Sequence, residues 1–274
     1  MSIEYSAKQY AADTIKKLMG AYQMFLVDLV KQLSSEQTTH LTPVDLTYKE
    51  LSVEQLQKIN EDSKLEDIYS LGPLQEGLYY QWVTNPESPV YFQQMSYRLT
   101  GNLDVTILEQ SYQVLVSRHS VLRTHFNPDL GTQPLQVVKR EVASTFHYQK
   151  LNGDLGQVIE NFKETDRVKG FDLHSGSQIR LTLIQIENNA YELIWSNHHI
   201  LMDGWCMGVL FNEFFQIYYS LIKGIPLILR HVSPYSNYIK WLAGCNKENS
   251  INYWKNYLSD YSTISSLPKN SIND

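Results

Sequence analysis

Two adjacent histidines, His198 and His199, are followed at fixed offsets by Asp203 and Gly204 in the run HHILMDG. The run comes directly after an apolar segment, residues 191–196, whose composition predicts a β-strand. The end of a strand is a rigid position for a general base, and histidine is the side chain whose charge most readily changes near neutral pH. The spacing therefore makes this run the candidate site for proton-transfer chemistry.

Metal binding is the competing use of a histidine pair with a nearby aspartate. If the strand geometry continues through the pair, His198 and His199 project to opposite sides of the chain and cannot easily reach one ion. The two cysteines, Cys206 and Cys245, have no metal-like spacing, and no histidine cluster elsewhere in the sequence supplies further ligands. The sequence therefore predicts no metal centre.

Helix-like and strand-like segments alternate on both sides of the run. Ser52 and Gln55 predict the capping box of a short helix over residues 51–60, and Asp104 predicts the cap of a helix that runs to about Ser117. Further helices are predicted at residues 7–33, 75–84, 154–167 and 206–222. Strands are predicted at residues 91–100, 121–126, 135–139, 179–186 and 191–197, the last two as a hairpin. This order predicts an α/β (α+β) fold, a two-layer mixed sheet with helices.

The composition argues against several classes of function. The chain has 274 residues, of which 43% are hydrophobic and 19% are charged, as in ordinary globular proteins. Its formal net charge of −6 argues against a nucleic-acid-binding surface. No apolar stretch is long enough to span a membrane, and the first residues do not resemble a secretory signal. With only two cysteines, the sequence predicts a cytoplasmic protein.

Three sequence blocks resemble those of nonribosomal peptide synthetase condensation domains and occur in the same order as in that family. These domains belong to the chloramphenicol acetyltransferase-like superfamily. The run at residues 198–204, continued by Trp205, resembles their HHxxxDG signature. Residues 67–77 (DIYSLGPLQEG) are similar to their opening block, and residues 118–126 (RHSVLRTHF) are similar to their second block. The resemblance extends over about residues 65–258 and implies a chloramphenicol acetyltransferase-like half-domain.

The resemblance implies a role for each residue of the candidate site. His199, the second histidine, would orient or deprotonate the amine of an acceptor aminoacyl group, which attacks a donor thioester and forms an amide. The backbone N–H of Gly204 would stabilise the oxyanion. Asp203 would pair with an arginine and fix the loop, and Arg123 is the candidate partner. His198 would serve packing and loop geometry.

The resemblance also implies substrates and partners. No cofactor would be bound directly, because the substrates would be tethered through the phosphopantetheine of peptidyl carrier protein domains. Residues 65–274 would form only the N-terminal lobe of a two-lobed domain, with adjacent synthetase domains or the missing C-terminal lobe as further partners. We therefore expect the isolated chain to be inactive and its exposed apolar interface to self-associate.

Two features favour a donor of D configuration. Met202 stands where the common L,L-type domains usually carry serine, and the PLQEG pattern agrees. Residues 5–60 resemble the closing helix and tail of an epimerization domain, which precedes D-accepting condensation domains. The predicted domains are therefore residues 1–60, a helical tail plus linker, and residues 65–274. Trp205 and Cys206 depart from the continuation usual in epimerization domains, which favours condensation.

Two other functions remain open at the level of sequence. A non-catalytic interaction module would bind a carrier or a partner lobe without joining substrates. A free-standing acyltransferase that uses coenzyme A would share the histidine motif, although the epimerization-like tail disfavours it.

Overall fold

A computed structural model describes residues 2–35, 40–151 and 155–262. Contacts divide the chain into two compact units, Met1–Thr42 and Pro43–Asp274. Residues 36–39 of the predicted linker and residues 263–274 of the predicted lobe lie outside the described residues. In the part of the chain that is described, no helix is both long enough and apolar enough to cross a membrane.

The boundary between the units falls earlier than the predicted end of the tail at residue 60. Residues 43–60 belong to the second unit because Leu46 and Leu56 are buried in it. The N–H of Tyr48 also donates a hydrogen bond of 2.8 Å to the carbonyl of Ile68. No sequence pattern predicts these contacts, because the stretch reads as polar linker and short helix.

The first unit consists mainly of one amphipathic helix, α1 (Ala12–Ser35), where the sequence predicts a helix over residues 7–33. Apolar side chains recur along α1 at steps of three and four residues, as expected of a helix with one apolar face. None of them is buried in this unit. The most exposed members of this face are Leu18, Phe25 and Leu33.

The described part of the second unit contains seven strands in two separate sheets. One sheet is antiparallel with the order β1-β4-β3, and the other has the order β2-β7-β6-β5, in which only β5 and β6 run parallel. The strands are β1 (Leu65–Ser70), β2 (Phe92–Thr100), β3 (Thr124–Asn127), β4 (Leu135–Lys139), β5 (Phe146–Lys150), β6 (Ile179–Glu187) and β7 (Ala190–His198). The predicted mixed fold of helices and sheet is confirmed, although β1 and β5 had no clear sequence signal.

The first five helices of the second unit lie close to their predicted positions, and two further helices follow them. They are α2 (Val53–Ile59), α3 (Pro73–Thr84), α4 (Val105–Arg118), α5 (Leu155–Lys169), α6 (Gly204–Lys223), α7 (Tyr235–Ala243) and α8 (Lys247–Tyr257). Ser52 and Gln55 form the predicted capping box, and the Asp104 carboxylate accepts from the N–H of Ile107 as the predicted cap of α4. Both caps satisfy helix amides that have no partner inside the helix.

The predicted strand at residues 121–126 is wrong in its first half. A short 3₁₀ helix covers Ser120–Arg123, and β3 begins only at Thr124. The N–H of Leu122 donates to the carbonyl of His119, and the Thr124 hydroxyl donates to the carbonyl of Ser120. These local bonds close a turn that apolar composition alone does not reveal.

The main core lies between the four-stranded sheet and helices α4 and α6. Alternate residues of β7, among them Leu193 and Trp195, point into this core and are fully buried. The Trp195 ring packs against Tyr112 of α4 and Phe214 of α6, with ring centroids 6.2 and 6.4 Å apart. Burying one such side chain contributes roughly 1.5–3 kcal/mol. The strand that ends in the histidine pair is therefore firmly anchored.

Candidate active site

The histidine run forms the predicted junction between a strand, a loop and a helix. Strand β7 ends at His198, and α6 begins at Gly204. Between them, the side chains of Ile200, Leu201 and Met202 are all buried. Three consecutive apolar anchors hold the five-residue loop against the core, so that it presents fixed backbone groups to its histidines.

The imidazole of His199 is oriented by the loop itself. Its Nδ1 lies 2.7 Å from the carbonyl oxygen of Met202. Because a carbonyl can only accept, Nδ1 carries a proton, and whenever the ring is neutral Nε2 therefore keeps its lone pair. The backbone N–H of His199 donates to the carbonyl of Tyr91 at 2.8 Å. The ring is half-buried. This is the tautomer that a general base needs if it is to accept a proton at Nε2.

His198 is turned into the protein. Burial, and to a lesser extent the charge of His199, lowers the pKa of His198 to about 4. Its Nδ1 accepts a hydrogen bond of 3.2 Å from the N–H of Ile200. The buried Nε2 has no hydrogen-bond partner among the described residues. His198 is therefore neutral near pH 7, and its visible contact shapes the loop.

The two histidines use Nδ1 in opposite ways, since it accepts in His198 and donates in His199. Among the residues that the structure describes, no group of three or more His, Cys, Asp and Glu side chains is arranged to hold a metal ion.

Asp203 is the N-cap of α6. Its Oδ1 accepts from the backbone N–H groups of Trp205 and Cys206 at 3.0 and 3.1 Å. Hydrogen bonding from Cys206 lowers the pKa of the Asp203 carboxyl. A carboxylate in this position is also favoured by the partial positive charge at the start of a helix. Asp203 therefore supports the loop by fixing the point at which α6 begins.

The predicted ion pair between Asp203 and Arg123 is wrong. Arg123 is buried at the end of the 3₁₀ helix, where its guanidinium pairs with Glu66 of β1. It also donates to the carbonyl of Val116 at 3.1 Å and to the carbonyl of Lys139. These bonds join α4 to the three-stranded sheet. Arg123 therefore has a structural role. Asp203 contacts backbone N–H groups in place of the arginine that the resemblance implies.

Gly204 and Trp205 form the first turn of α6. The N–H of Gly204 is one of the groups that a helix cannot satisfy internally. A Cβ added to Gly204 would find no atom within 4 Å among the atoms beyond its own turn, so the space beside its Cα is open. Trp205 is 89% exposed, so its ring contributes nothing to the core of this unit. The role of Gly204 as an oxyanion donor stays a prediction.

Sequence reasoning missed Tyr91, which completes the loop. Its φ angle of 71° lies in the left-handed region, which is unusual for a bulky residue. Its carbonyl holds the N–H of His199, and its ring lies with its centroid 6.5 Å from that of His199 and 6.4 Å from that of His198. No residue type in the sequence marks this conformation, because a tyrosine before a strand predicts extended backbone.

An apolar cavity of about 260 Å³ adjoins the loop. Met202 of the loop and Cys206 of α6 line it, as do His119 and Tyr235. Burial raises the pKa of the Cys206 thiol. The cavity brings Met202, the residue that the resemblance singles out, next to a space large enough for a small side chain.

Solved structures that align with this chain include condensation domains of peptide synthetases. The starter condensation domain of the rhizomide synthetase aligns with a TM-score of 0.66 and 16% identity, over 72% of this chain and 49% of that chain. The first condensation domain of the calcium-dependent antibiotic synthetase, in complex with a substrate analogue, aligns with a TM-score of 0.62 and 16% identity over the same shares. The chain thus has the chloramphenicol acetyltransferase-like fold of these domains.

The family model for the condensation domain matches residues 65–274, and the chain belongs to that family. Bacitracin synthase 1 of Bacillus licheniformis is 34% identical over 271 residues, which are 96% of this chain and 5% of that protein. Bacitracin synthase 3 of the same organism is 32% identical over 270 residues, which are 96% of this chain and 4% of that protein. The chain thus spans a small part of these nonribosomal peptide synthetases and about half of the solved condensation domains.

Proposed function

We propose that this chain is the histidine-bearing half of a condensation domain that forms an amide bond. The donor is an aminoacyl or peptidyl thioester, the acceptor is the amine of an aminoacyl group, and both are tethered to carrier proteins. The observation that carries the proposal is the Nδ1–H of His199, held by the Met202 carbonyl, because it leaves the Nε2 lone pair for the amine.

The proposed reaction transfers one acyl group. The acceptor nitrogen attacks the thioester carbon, and His199 Nε2 orients the amine or accepts the proton that it loses. The N–H of Gly204 donates to the oxyanion that forms. The C–S bond then breaks, and the sulfur leaves as a thiol with that proton. A positioned base contributes about 10²–10⁴-fold to such a step, and one oxyanion donor contributes about 10²–10³-fold.

A second half of the fold would complete the site. The matched solved domains are about twice as long as the part that this chain covers. We assign the opposite wall of the substrate channel to that second half, and the docking of both substrates to peptidyl carrier domains. Each carrier would supply its own phosphopantetheine arm, so no cofactor needs to be bound directly. Adjacent synthetase domains are further partners, and the cytoplasm stays the predicted location.

We further propose that the donor aminoacyl group has the D configuration. Met202 lies at the wall of the apolar cavity beside Cys206, where a side chain larger than serine reduces the space. Each of the two bacitracin synthases aligns over 96% of the chain, so similarity to them is not confined to residues 65–274. A synthetase module that contains this chain should condense a D-aminoacyl donor at least ten times faster than its L enantiomer. Equal rates would contradict the assignment.

Replacement of His199 by alanine tests the chemistry. In a synthetase module that contains this chain, we expect His199→Ala to lower dipeptide formation by about 10²–10⁴-fold, because the positioned base is lost. His147→Ala, an exposed histidine of β5, is the matched control and should retain full turnover. Near-full turnover by His199→Ala would overturn the proposed role.

A non-catalytic interaction module is the second candidate, favoured by the exposed Trp205 beside an otherwise ordered loop. It would bind a loaded carrier or a partner half and join no substrates, even when the second half is supplied. Condensation in the complete module rejects this candidate. Transfer from acyl-coenzyme A in place of a carrier-bound thioester would instead indicate a free-standing acyltransferase.

A further inference from the structure

Gln75, in the first turn of α3, lies at the centre of a buried amide network that the proposed reaction does not use. It is 6% exposed, and its neighbour in the network, Gln136 of β4, is fully buried. The two side-chain amides exchange reciprocal hydrogen bonds of 3.1 and 3.0 Å. The Gln75 Oε1 also accepts from the N–H of Gly72 at 3.0 Å and from the Tyr235 hydroxyl at 3.2 Å. Contacts from several parts of the second unit thus hold the amide.

The remaining contact of Gln75 reaches the histidine loop. Its Nε2 donates a hydrogen bond of 3.0 Å to the carbonyl of Ile200, the residue after His199. The N–H of Ile200 is held in turn by Nδ1 of His198. Both polar backbone groups of Ile200 are therefore fixed by side chains. Ile200 lies two residues before Met202, whose carbonyl orients His199, and the buried Leu201 joins them.

We propose that Gln75 is a positioning residue, which fixes the Ile200 peptide so that the Met202 carbonyl keeps the proton of His199 on Nδ1. The role of His199 in this inference rests on the proposed function, but the position of the loop does not depend on a bound substrate. The loop carbonyl is buried, and a buried acceptor that loses its donor is costly to leave unpaired. Without Gln75, the loop would relax toward another donor and move the Met202 carbonyl.

The proposed role requires a hydrogen-bond donor at position 75. A residue that only filled space would not need one. A glutamate at position 75 keeps the shape and the acceptor oxygen for Gly72 and Tyr235. Ionised, it cannot donate to the Ile200 carbonyl. The matched change at Gln136 places the same carboxylate in the same network, but Gln136 donates to the carbonyl of Ser70 and does not touch the loop. Gln136→Glu therefore controls for a buried charge.

The experiment reads the tautomer of His199 in the 274-residue chain by ¹⁵N NMR of histidine-labelled protein, with His199→Ala to assign the signal. Wild type and Gln136→Glu should show the proton on Nδ1 alone. Gln75→Glu should show a mixture in which Nε2 carries the proton in a substantial fraction, since the tautomer follows the hydrogen bond made by Nδ1. In a complete module, the same variant should lower kcat by about 10²-fold, as for other small misplacements of a catalytic group.

Because burial raises the pKa of a carboxyl, a protonated glutamate at position 75 could still donate, so Gln75→Met and Gln136→Met, whose side chains cannot donate, are compared in parallel. An unchanged tautomer in Gln75→Met would overturn the inference, and so would an equal change in the matched Gln136 variant. Loss of folding in both Gln75 variants but in neither Gln136 variant would also overturn it, because Gln75 would then serve the fold. If the tautomer shifts as expected but the wild-type module forms no amide, the positioning role stands and the proposed function fails.

Discussion

Asp203 stabilises its loop through two backbone amides, and a substitution can distinguish this role from an ion pair. Asparagine is as good an N-cap as aspartate, whereas alanine offers no acceptor. We expect the free energy of unfolding of Asp203→Asn to lie within a few tenths of a kcal/mol of the wild-type value. In Asp203→Ala it should decrease by about 1 kcal/mol, as measured by urea denaturation. A loss in Asp203→Asn as large as that in Asp203→Ala would indicate that the charge of Asp203, not its cap, supports the loop.

Burial of the neutral His198 ring makes stability depend on pH. The pKa of His198 is lowered to about 4 from an ordinary value of 6.5, so the unfolded chain binds this proton more tightly than the folded chain does. The free energy of unfolding should therefore be constant above about pH 6.5 and should fall as the pH decreases toward 4. His125 is half-buried, and desolvation lowers its pKa to about 4, so it contributes with the same sign.

Replacing His198 measures how much this residue contributes to the pH dependence of the free energy of unfolding. In His198→Asn, an amide oxygen can still accept from Ile200, but no group titrates. We expect the decrease in unfolding free energy between pH 7 and 4.5 to be smaller in this variant by on the order of 2 kcal/mol, as measured by urea denaturation at each pH. An identical decrease in wild type and variant would show that His198 is not held neutral in the folded state.

At the scale of elements, α5 is attached to the four-stranded sheet by a buried ion pair. Asp166 of α5 lies 2.7 Å from Arg180 of β6, whose guanidinium lies over the ring of Phe171 at 4.0 Å. Asp166 also accepts from the Ser196 hydroxyl at 2.6 Å. Both charges are almost completely buried, so each depends on its partner.

Breaking that pair should cost far more than breaking an exposed pair on the same helix. We expect Arg180→Ala to lower the free energy of unfolding by about 3–5 kcal/mol, because it leaves the Asp166 carboxylate buried without its partner. Arg167→Ala, which removes an exposed pair with Glu164 at 3.2 Å, is the matched control and should cost less than about 1 kcal/mol. Similar losses in urea denaturation would contradict this account of how α5 is held.

At the scale of the whole molecule, the second unit exposes a large amount of aromatic surface on α7 and α8. Trp241, Tyr253, Trp254 and Tyr257 are each more than half exposed. Exposed apolar patches of this kind are typical of interaction surfaces. In the proposed complete domain such a surface would meet other parts of the fold, and in the 274-residue chain it is free to meet another copy.

We therefore expect the isolated chain to self-associate as its concentration increases, with a rising weight-average sedimentation coefficient. Trp254→Glu should reduce this association, because it places a charge within the aromatic patch. Val168→Glu, on the exposed face of α5, should leave association unchanged. Sedimentation of the wild-type chain as a single monomer at concentrations on the order of 100 μM would argue against this prediction, since apolar patches of this size associate when they are left uncovered.

The sequence by itself predicted most of the helices and strands and singled out His199 as the candidate base. Local signals were sufficient for the capping box at Ser52, the cap at Asp104 and the hairpin of β6 and β7, because each depends on residues close together in the chain. The order of the three motif blocks was enough to indicate the family. The HHxxxDG run pointed to His199 through a resemblance, and the geometry of its ring agrees with a base.

Only the tertiary structure decided what holds that histidine in place. Arg123 and Asp203 are far apart in the chain, and nothing in their spacing shows that Glu66 takes the arginine while α6 takes the aspartate. The contacts that fix the loop come from Tyr91 and Gln75, far earlier in the chain. Backbone hydrogen bonds carry no residue signature, because every residue type offers the same carbonyl and nearly all offer the same N–H. The candidate site could therefore be predicted from the sequence, whereas the distant contacts that hold its loop could not.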